Sequence, residues 1–295
     1  MRNSNSYQPL IGHVAVVAGG TRGAGRGIAV ELGRAGATVY VTGRSTRKAN
    51  SPMGRSETIE ETAELVTAAG GTGISVKVDH TVESEVKALF EQIELEQKGR
   101  LDLLVNDIWG GDPLTVWGTP FWEHSLADGL TIQKNAVVSH MITSYYAAPI
   151  FIRRGKGLLI EITDGIDYRY RGNLYYSLAK VSAIHLAKAM SEELKPFQVA
   201  AVALTPGFLR SEAMLDHFGV QEQNWRDAVA KEPHFIASET PAYIGKAVAA
   251  LAADPQIMSK TGQALSSWDL SDEYGFEDAD GTKPHWGNYA KEQGL

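Results

Sequence analysis

Short, nearly continuous apolar runs alternate along the chain with longer segments in which apolar residues recur at helical spacing. The runs His13–Ala18, Thr38–Thr42, Ile74–Val78, Leu101–Val105, Leu158–Ile162 and Val199–Leu204 are rich in Val, Ile and Leu. Their continuity predicts parallel strands buried on both faces, since a strand with one wet face would alternate apolar and polar residues. Between them, Ile28–Leu32–Ala35 and Ile59–Ala63–Val66 carry the three- and four-residue spacing of an amphipathic helix. Gly36, Gly70–Gly71 and Gly99 stand where helices should stop before the next strand. Thr81 is placed to cap the helix of Val86, Leu89 and Phe90, and Thr240-Pro241 reads as an N-cap followed by an N1 proline. Strands alternating with helices imply right-handed crossovers and hence an α/β fold with a doubly wound parallel sheet in a single domain.

Two stretches break the rhythm. Ser45–Ser56 is a basic, turn-rich loop after the second strand. Residues 267–295 form an acidic extension carrying Trp268, Tyr274, Phe276, Trp286 and Tyr289. A solvated tail rarely holds so many rings, so this extension is expected to pack on the 1–266 domain or on a neighbouring subunit.

Composition removes several function classes. With 43% hydrophobic and 21% charged residues the chain is ordinary for a folded protein, and a net charge of −7 gives no general attraction to nucleic acid or to an anionic membrane. There is no cysteine, which excludes disulfides and thiolate chemistry, and the eight histidines form no HExxH pairing, so no metal is expected. Met1–Gly12 lacks the apolar run of a signal peptide, and no stretch reaches the roughly 18 apolar residues of a membrane span. A cytoplasmic protein is the expectation.

After the first strand comes Gly19-Gly20-Thr21-Arg22-Gly23-Ala24-Gly25, leading straight into a helix. Glycines let the backbone turn tightly and approach a pyrophosphate, whose charge is favoured by the free N–H groups of the helix N-terminus. The same glycines could serve a plain tight turn, but their place between the first strand and first helix points to a Rossmann-type dinucleotide site. The second strand ends in Gly43-Arg44 with no acidic residue to receive the ribose hydroxyls of NAD. Arg44 and Arg22 can each fork hydrogen bonds onto a 2′-phosphate, so NADP(H) is the expected cofactor.

Tyr176-Ser177-Leu178-Ala179-Lys180 sets a tyrosine and a lysine one helical turn apart on one face. A nearby ammonium favours the phenolate and readies the hydroxyl to exchange a proton with a carbonyl or alcohol oxygen. The pair alone is common on helix surfaces. The order of motifs is not: the Gly-rich turn, Asp79 with His80 after the third strand, LLVND after the fourth, Asn135 in the next helix, YSLAK, then Thr205-Pro206-Gly207 after the sixth strand. Over about residues 12–267 the chain resembles the short-chain dehydrogenase/reductase family.

That resemblance implies a residue-by-residue assignment. Asp79, beside His80, would meet the adenine, and Asn106 would brace the sheet next to the cofactor. Tyr176 would be the proton donor or acceptor, with Lys180 holding the nicotinamide ribose and lowering the tyrosine pKa. Asn135 would kink its helix and hold a proton-relaying water. Pro206, Gly207, Phe208 and Ser211 would flank the nicotinamide, and a homo-oligomer would form through the helices around Asn135–Arg153 and Tyr176–Pro196.

Two departures stand out. The family's Asn-Asn-Ala-Gly is here Asn106-Asp107-Ile108-Trp109-Gly110-Gly111, and the strand that usually ends in the catalytic serine reads Glu161-Ile162-Thr163-Asp164-Gly165. An ionised Asp164 would raise the tyrosine pKa, whereas a protonated one could donate as serine does. Thr163 has the right hydroxyl, yet strand neighbours face opposite sides, so both can serve only if the strand has ended. Asp164 is the favoured candidate.

Trp109, Asp112, Trp117, Trp122, Asp167, Tyr168, Tyr170 and Phe208 lie on segments that border the substrate cleft of such a fold. Aromatic walls suit a planar or apolar small molecule. The leading expectation is an NADP(H)-dependent oxidoreductase acting on a carbonyl or alcohol. A silent NADPH-binding regulator, and imine or other reduction with Asp164 holding a cation, are the alternatives.

Overall fold

The computed structural model describes residues 8–49 and 53–295; residues 1–7 of the N-terminal stretch and 50–52 of the basic loop lie outside the described residues. Seven strands form one parallel sheet: β1 (Val14–Ala18), β2 (Thr38–Gly43), β3 (Thr72–Lys77), β4 (Leu103–Asn106), β5 (Gly157–Ile162), β6 (Val199–Thr205) and β7 (Ala264–Ser266). Their spatial order is β3-β2-β1-β4-β5-β6-β7, so the winding reverses between β1 and β4. In open sheets of this kind ligands settle at the carboxyl ends of the strands, at that reversal.

Ten α-helices connect and flank the strands. These are α1 (Gly23–Arg34), α2 (Ile59–Ala68), α3 (Glu83–Glu96), α4 (Leu126–Gln133), α5 (Ser139–Arg154), α6 (Leu174–Leu194), α7 (Glu212–Phe218), α8 (Pro241–Ala253), α9 (Ser267–Tyr274) and α10 (Trp286–Gln293). Alternate strand residues feed two separate cores, as a side-chain period of two requires. Ala15, Val17, Val39 and Val41 pack with Ile28, Leu32, Val66 and Val248 on one face. On the other, Val14, Val16, Tyr40 and Leu104 pack with Leu89, Ile93, Ile150 and Phe151.

Three expectations change. The third strand is not buried on both faces: β3 is an edge strand in which Thr72, Ser75 and Lys77 are exposed, because no further strand covers its outer side. Thr81 does not cap α3; its hydroxyl donates to Asp79 Oδ1 at 2.8 Å and Val82 takes the N-cap position. A three-residue seventh strand, too short to show in the hydrophobic pattern, closes the far edge beside β6. The Thr240 side chain does accept from Ala242 N at 3.2 Å, ahead of Pro241 in the first turn.

Between α4 and α5 the chain passes through a π-helical turn, Lys134–Val138, that contains Asn135. Ser139 Oγ donates to the Asn135 carbonyl at 2.5 Å within this widened turn. Such bulges re-aim side chains locally and often mark functional sites.

Residues 267–295 run back over their own sheet and helices. Trp268 and Leu270 of α9 are buried, and Asp278 accepts from Thr240 N at 2.8 Å. The buried guanidinium of Arg210 donates to Asp280 at 3.3 Å and to the Ser238 carbonyl at 2.7 Å, tying the 278–282 segment to the β6–α8 connection. Among the described residues no helix is long and apolar enough to cross a membrane.

Candidate active site

The strand ends open into a cleft of about 1150 Å³. At one end lies the glycine turn. Gly19 has φ +91°, and a Cβ there would stand 2.3 Å from the Asp107 carbonyl oxygen; at Gly25 it would stand 2.4 Å from Gly19 O. The turn is thus folded so closely onto the β4 loop that side chains cannot enter. Its shape is pinned by Gly19 N and Gly20 N, both donating to Thr42 O at 3.0 Å. Gly19, Thr21, Arg22, Gly23 and Ala24 line the cleft, with Gly25 behind them in the first turn of α1.

Neither arginine is bare. Arg22 donates to Glu57 Oε2 at 3.2 Å and to Ser45 Oγ at 3.1 Å, while Arg44 lies 3.8 Å from Asp79. Arg55 grips Glu57 as well, at 2.6 Å. Burial pushes the Glu57 carboxyl up, but the hydrogen bonds and charge of Arg55, with the charge of Arg22, outweigh it and hold the group below its usual range. This end therefore sets three guanidinium groups, Arg22, Arg44 and Arg55, against three carboxylates, Glu57, Asp79 and Asp216. Glu57 was not picked out in the sequence, because nothing in a loop of changing charge marks which acid turns inward.

Asp79 faces the cleft and accepts from Thr81 N at 2.9 Å. His80 also lines it, but both ring nitrogens are engaged, with Thr42 Oγ1 at 2.8 Å and Thr143 Oγ1 at 2.9 Å. Burial, then the nearby His140, pushes the His80 pKa down to about 3, against a smaller opposing pull from Asp79. Asn106 is fully buried beneath the cleft, donating from Nδ2 to Ser144 Oγ at 3.0 Å and to Glu161 Oε1 at 2.8 Å.

At the other end Tyr176 and Lys180 rise from the first turns of α6, whose N-cap Asn173 accepts from Tyr175 N and Tyr176 N. The Tyr176 hydroxyl donates to Asp164 Oδ2 at 2.8 Å. Thr163 turns the other way, its hydroxyl spent on the Lys180 carbonyl at 2.7 Å. β5 ends at Ile162, yet the two neighbours still face opposite ways just beyond the sheet. Lys180 Nζ lies 4.3 Å over the Trp109 ring and 5.5 Å from the centre of the Tyr176 ring. The tyrosine pKa is held well above its ordinary range, by burial first and then by the charge and hydrogen bond of Asp164. That is the reverse of the lowering the family resemblance implies.

Asn135, Trp109, Asp112, Trp117, Pro206, Gly207, Phe208 and Ser211 complete the walls. Ser211 caps α7, accepting from Met214 N at 3.3 Å. Trp122, Asp167, Tyr168 and Tyr170 do not line the cleft; the three rings point to solvent instead.

Several groups escaped the sequence reading. Asp107, beside the glycine turn, has its pKa raised to about 7 by burial, against the pull of Lys180 and the Gly25 N–H. Glu212 sets Oε2 2.8 Å from Gly23 N. Glu239 accepts from Gly207 N at 2.8 Å and from Ser267 Oγ at 2.6 Å behind the wall formed by Pro206–Phe208. Trp286, from the C-terminal extension, lines the cleft and packs edge-on against Phe208 at 6.0 Å.

A doubly wound parallel sheet with a glycine turn at one end of its cleft and a Tyr–Lys helix at the other defines a Rossmann-type oxidoreductase. A family model for the short chain dehydrogenase matches residues 13–219. The chain is 38% identical over 277 residues to dehydrogenase/reductase SDR family member 1 of Mus musculus, covering 92% of this chain and 85% of the mouse protein. Among solved structures, a short chain dehydrogenase from Mycobacterium thermoresistibile superposes with TM-score 0.77 at 22% identity, covering 94% of this chain and 92% of that one. A Beutenbergia cavernae structure with bound NADP at low occupancy superposes with TM-score 0.68 at 22% identity, covering 88% of this chain and 96% of that one. The chain belongs to the short-chain dehydrogenase/reductase family.

Proposed function

We propose that the protein is an NADP(H)-dependent oxidoreductase that interconverts a carbonyl and an alcohol, with Tyr176 as general acid and base. The observation that carries this reading is the Tyr176–Lys180 pair at one end of a cleft whose other end is lined by Arg22 and Arg44. The residues fit the cofactor: the close approach at Gly19 and Gly25 leaves backbone where a pyrophosphate needs it, and the guanidinium groups of Arg22 and Arg44 on the cleft wall beside Ser45 can fork hydrogen bonds onto a 2′-phosphate. When bound, the reduced nicotinamide supplies a hydride.

The chain's own part is to bind, orient and move one proton. Arg22 and Arg44 hold the phosphate end, Asp79 faces the adenine, and Pro206, Gly207, Phe208 and Ser211 border the nicotinamide end. Asn106 braces β4 from below. Tyr176 gives its hydroxyl proton to the substrate oxygen, and Lys180 supplies the positive charge that favours the resulting phenolate. Asn135, re-aimed by the π-helical turn, stands within the cleft to orient a relay water. Exposed apolar residues on the two long helices, Met141 and Tyr145 of α5 and Leu178 of α6, support assembly into a homo-oligomer. A cytoplasmic setting rests on the sequence expectation.

The test is parallel calorimetric titration with NADPH and NADH, followed by a carbonyl panel. Tight NADPH binding, weak NADH binding and ketone turnover support the reading. Equal affinities sink the arginine argument. Tight binding without turnover on any carbonyl replaces the reading with a silent nucleotide-binding protein.

A further inference from the structure

Asp164 stands where a developing negative charge would be least welcome. Its Oδ2 lies 2.8 Å from the Tyr176 hydroxyl, beside the position a substrate heteroatom must take to receive that proton. The side chain is about half exposed, so a carboxylate there is solvated and available to a ligand. A ketone oxygen gains negative charge as hydride arrives, and a carboxylate alongside opposes it. A C=N⁺ group behaves in the opposite way. It enters positive, is attracted by the carboxylate, and leaves neutral.

The rest of the pocket has the same preference. Asp112 adds a second carboxylate, oriented by Trp109 Nε1 at 2.5 Å. The rings of Trp109 and Trp117 flank Tyr176, with centroids 5.4 and 5.0 Å away. With Lys180 over Trp109, the exposed Trp117 is the aromatic surface that stands with the carboxylates, the usual chemistry of organic-cation recognition. Two cations are close, and both are occupied. Arg171 Nε is 3.9 Å from Asp164, but its guanidinium donates at 2.8 Å to the carbonyls of Arg169 and Asp167. Lys180 already sits 4.3 Å over the Trp109 ring, close enough to Asp107 to pull down that carboxyl's pKa.

We propose that the cleft reduces a cationic C=N acceptor, an iminium ion or protonated imine on an aromatic frame, with Asp164 as its counter-ion. The inference rests on the hydride-transfer reading of the site. In the step, hydride from the reduced nicotinamide forms a C–H bond at the former C=N carbon. The π pair becomes the nitrogen lone pair, the nicotinamide is oxidised by two electrons, and an amine leaves. A neutral imine needs one added proton, which Tyr176 delivers and solvent replaces through half-exposed Asp164. Because positive charge is lost during transfer, Asp164 favours the bound cation more than the transition state. Its removal should therefore raise KM for a permanent cation and raise kcat by a smaller factor.

The test combines binding and turnover in the whole chain. Calorimetry in the presence of NADP⁺ compares the unreactive cation N,N-dimethyl-tetrahydroisoquinolinium with α-tetralone, a neutral ketone of the same size. The cation should bind at least about tenfold more tightly, and Asp164→Asn should remove that margin. In turnover with NADPH, Asp164→Asn should raise KM for N-methyl-dihydroisoquinolinium about tenfold and shift the kcat/KM ratio toward α-tetralone. Asp112→Asn should act in the same direction more weakly, and NADPH affinity of each variant reports that it has folded. Tetralone reduction without iminium reduction overturns the inference and leaves the hydride-transfer reading standing, as does cation binding indifferent to Asp164. Loss of both reductions with NADPH still bound overturns both.

Discussion

His140 Nδ1 meets Glu161 Oε2 at 2.5 Å, with the two side chains only 3% and 0% exposed. The other ring nitrogen, Nε2, faces the Ile108 carbonyl at 3.0 Å, and Glu161 Oε1 accepts from Asn106 at 2.8 Å. A carbonyl can only accept, so Nε2 carries a hydrogen, and a further proton is held between Nδ1 and the carboxylate. The pair thus hangs the Ile108–Gly111 loop, and Trp109 with it, from the carboxyl end of β5.

Removing one member leaves the other charged or unpaired in a dry interior, which typically costs about 3–5 kcal/mol. His140→Phe should lower the urea midpoint by a large margin at an unaltered slope. Adding Glu161→Leu should recover more than half of the loss, since an apolar pair of similar volume avoids the stranded carboxylate. A single mutant with near-wild-type stability would show that the pair contributes nothing to holding the loop.

Tyr176→Phe removes the hydroxyl that donates to Asp164 while keeping the ring between Trp109 and Trp117. Ketone turnover should fall by about 10²–10⁴-fold, the usual contribution of a positioned proton donor, with NADPH affinity nearly unchanged. Single-turnover kinetics alongside calorimetry check both halves. Retained turnover would take Tyr176 out of the chemistry.

The choice of cofactor is tested at the glycine turn. Arg22→Ala and Arg44→Ala should each weaken NADPH by about tenfold or more, the worth of one charge-assisted hydrogen bond of roughly 1.5–3 kcal/mol, and leave NADH little changed. Gly19→Ala is a different lesion, because its Cβ would lie 2.3 Å from the Asp107 carbonyl at a φ of +91°. It should weaken both nucleotides together. An arginine variant that loses NADH and NADPH equally would place that residue outside the 2′-phosphate subsite.

Five strands could be read from continuous apolar runs because they are buried and expose little to water, whereas β3 is a half-exposed edge strand. β7 could not: only three residues long, it earns its place by pairing with β6, a long-range relationship that no local period records. Side-chain direction divides the site in the same way. That Tyr176 and Lys180 share a helix face follows from spacing, whereas which of Asp164 and Thr163 turns toward Tyr176 depends on the path of the chain beyond Ile162. Glu161 lies on β5 and His140 on α5, and only packing brings them together. Glu239 belongs to the same class, since its partners Gly207 and Ser267 come from distant parts of the chain.

Glu239 gives a prediction in pH. It is buried, its Oε1 lacks a hydrogen-bond partner, and burial raises its pKa to about 8 from an ordinary 4.5, against the pull of Ser267 and the Gly207 N–H. The folded protein therefore keeps a proton that the unfolded chain releases above the ordinary value. Stability falls wherever the native state binds more protons than the unfolded state, so this group's contribution is full below about pH 4.5 and is lost as pH rises toward 8. Glu239→Gln cannot ionise and preserves an oxygen for Gly207 N and Ser267 Oγ. Unfolding free energies measured by urea across that window should decline less steeply with pH in the variant, so that its stability relative to wild type improves toward pH 8. Parallel profiles for the two proteins would mean that Glu239 titrates alike in the folded and unfolded chains, and the wall behind Gly207 would then owe its shape to some other group.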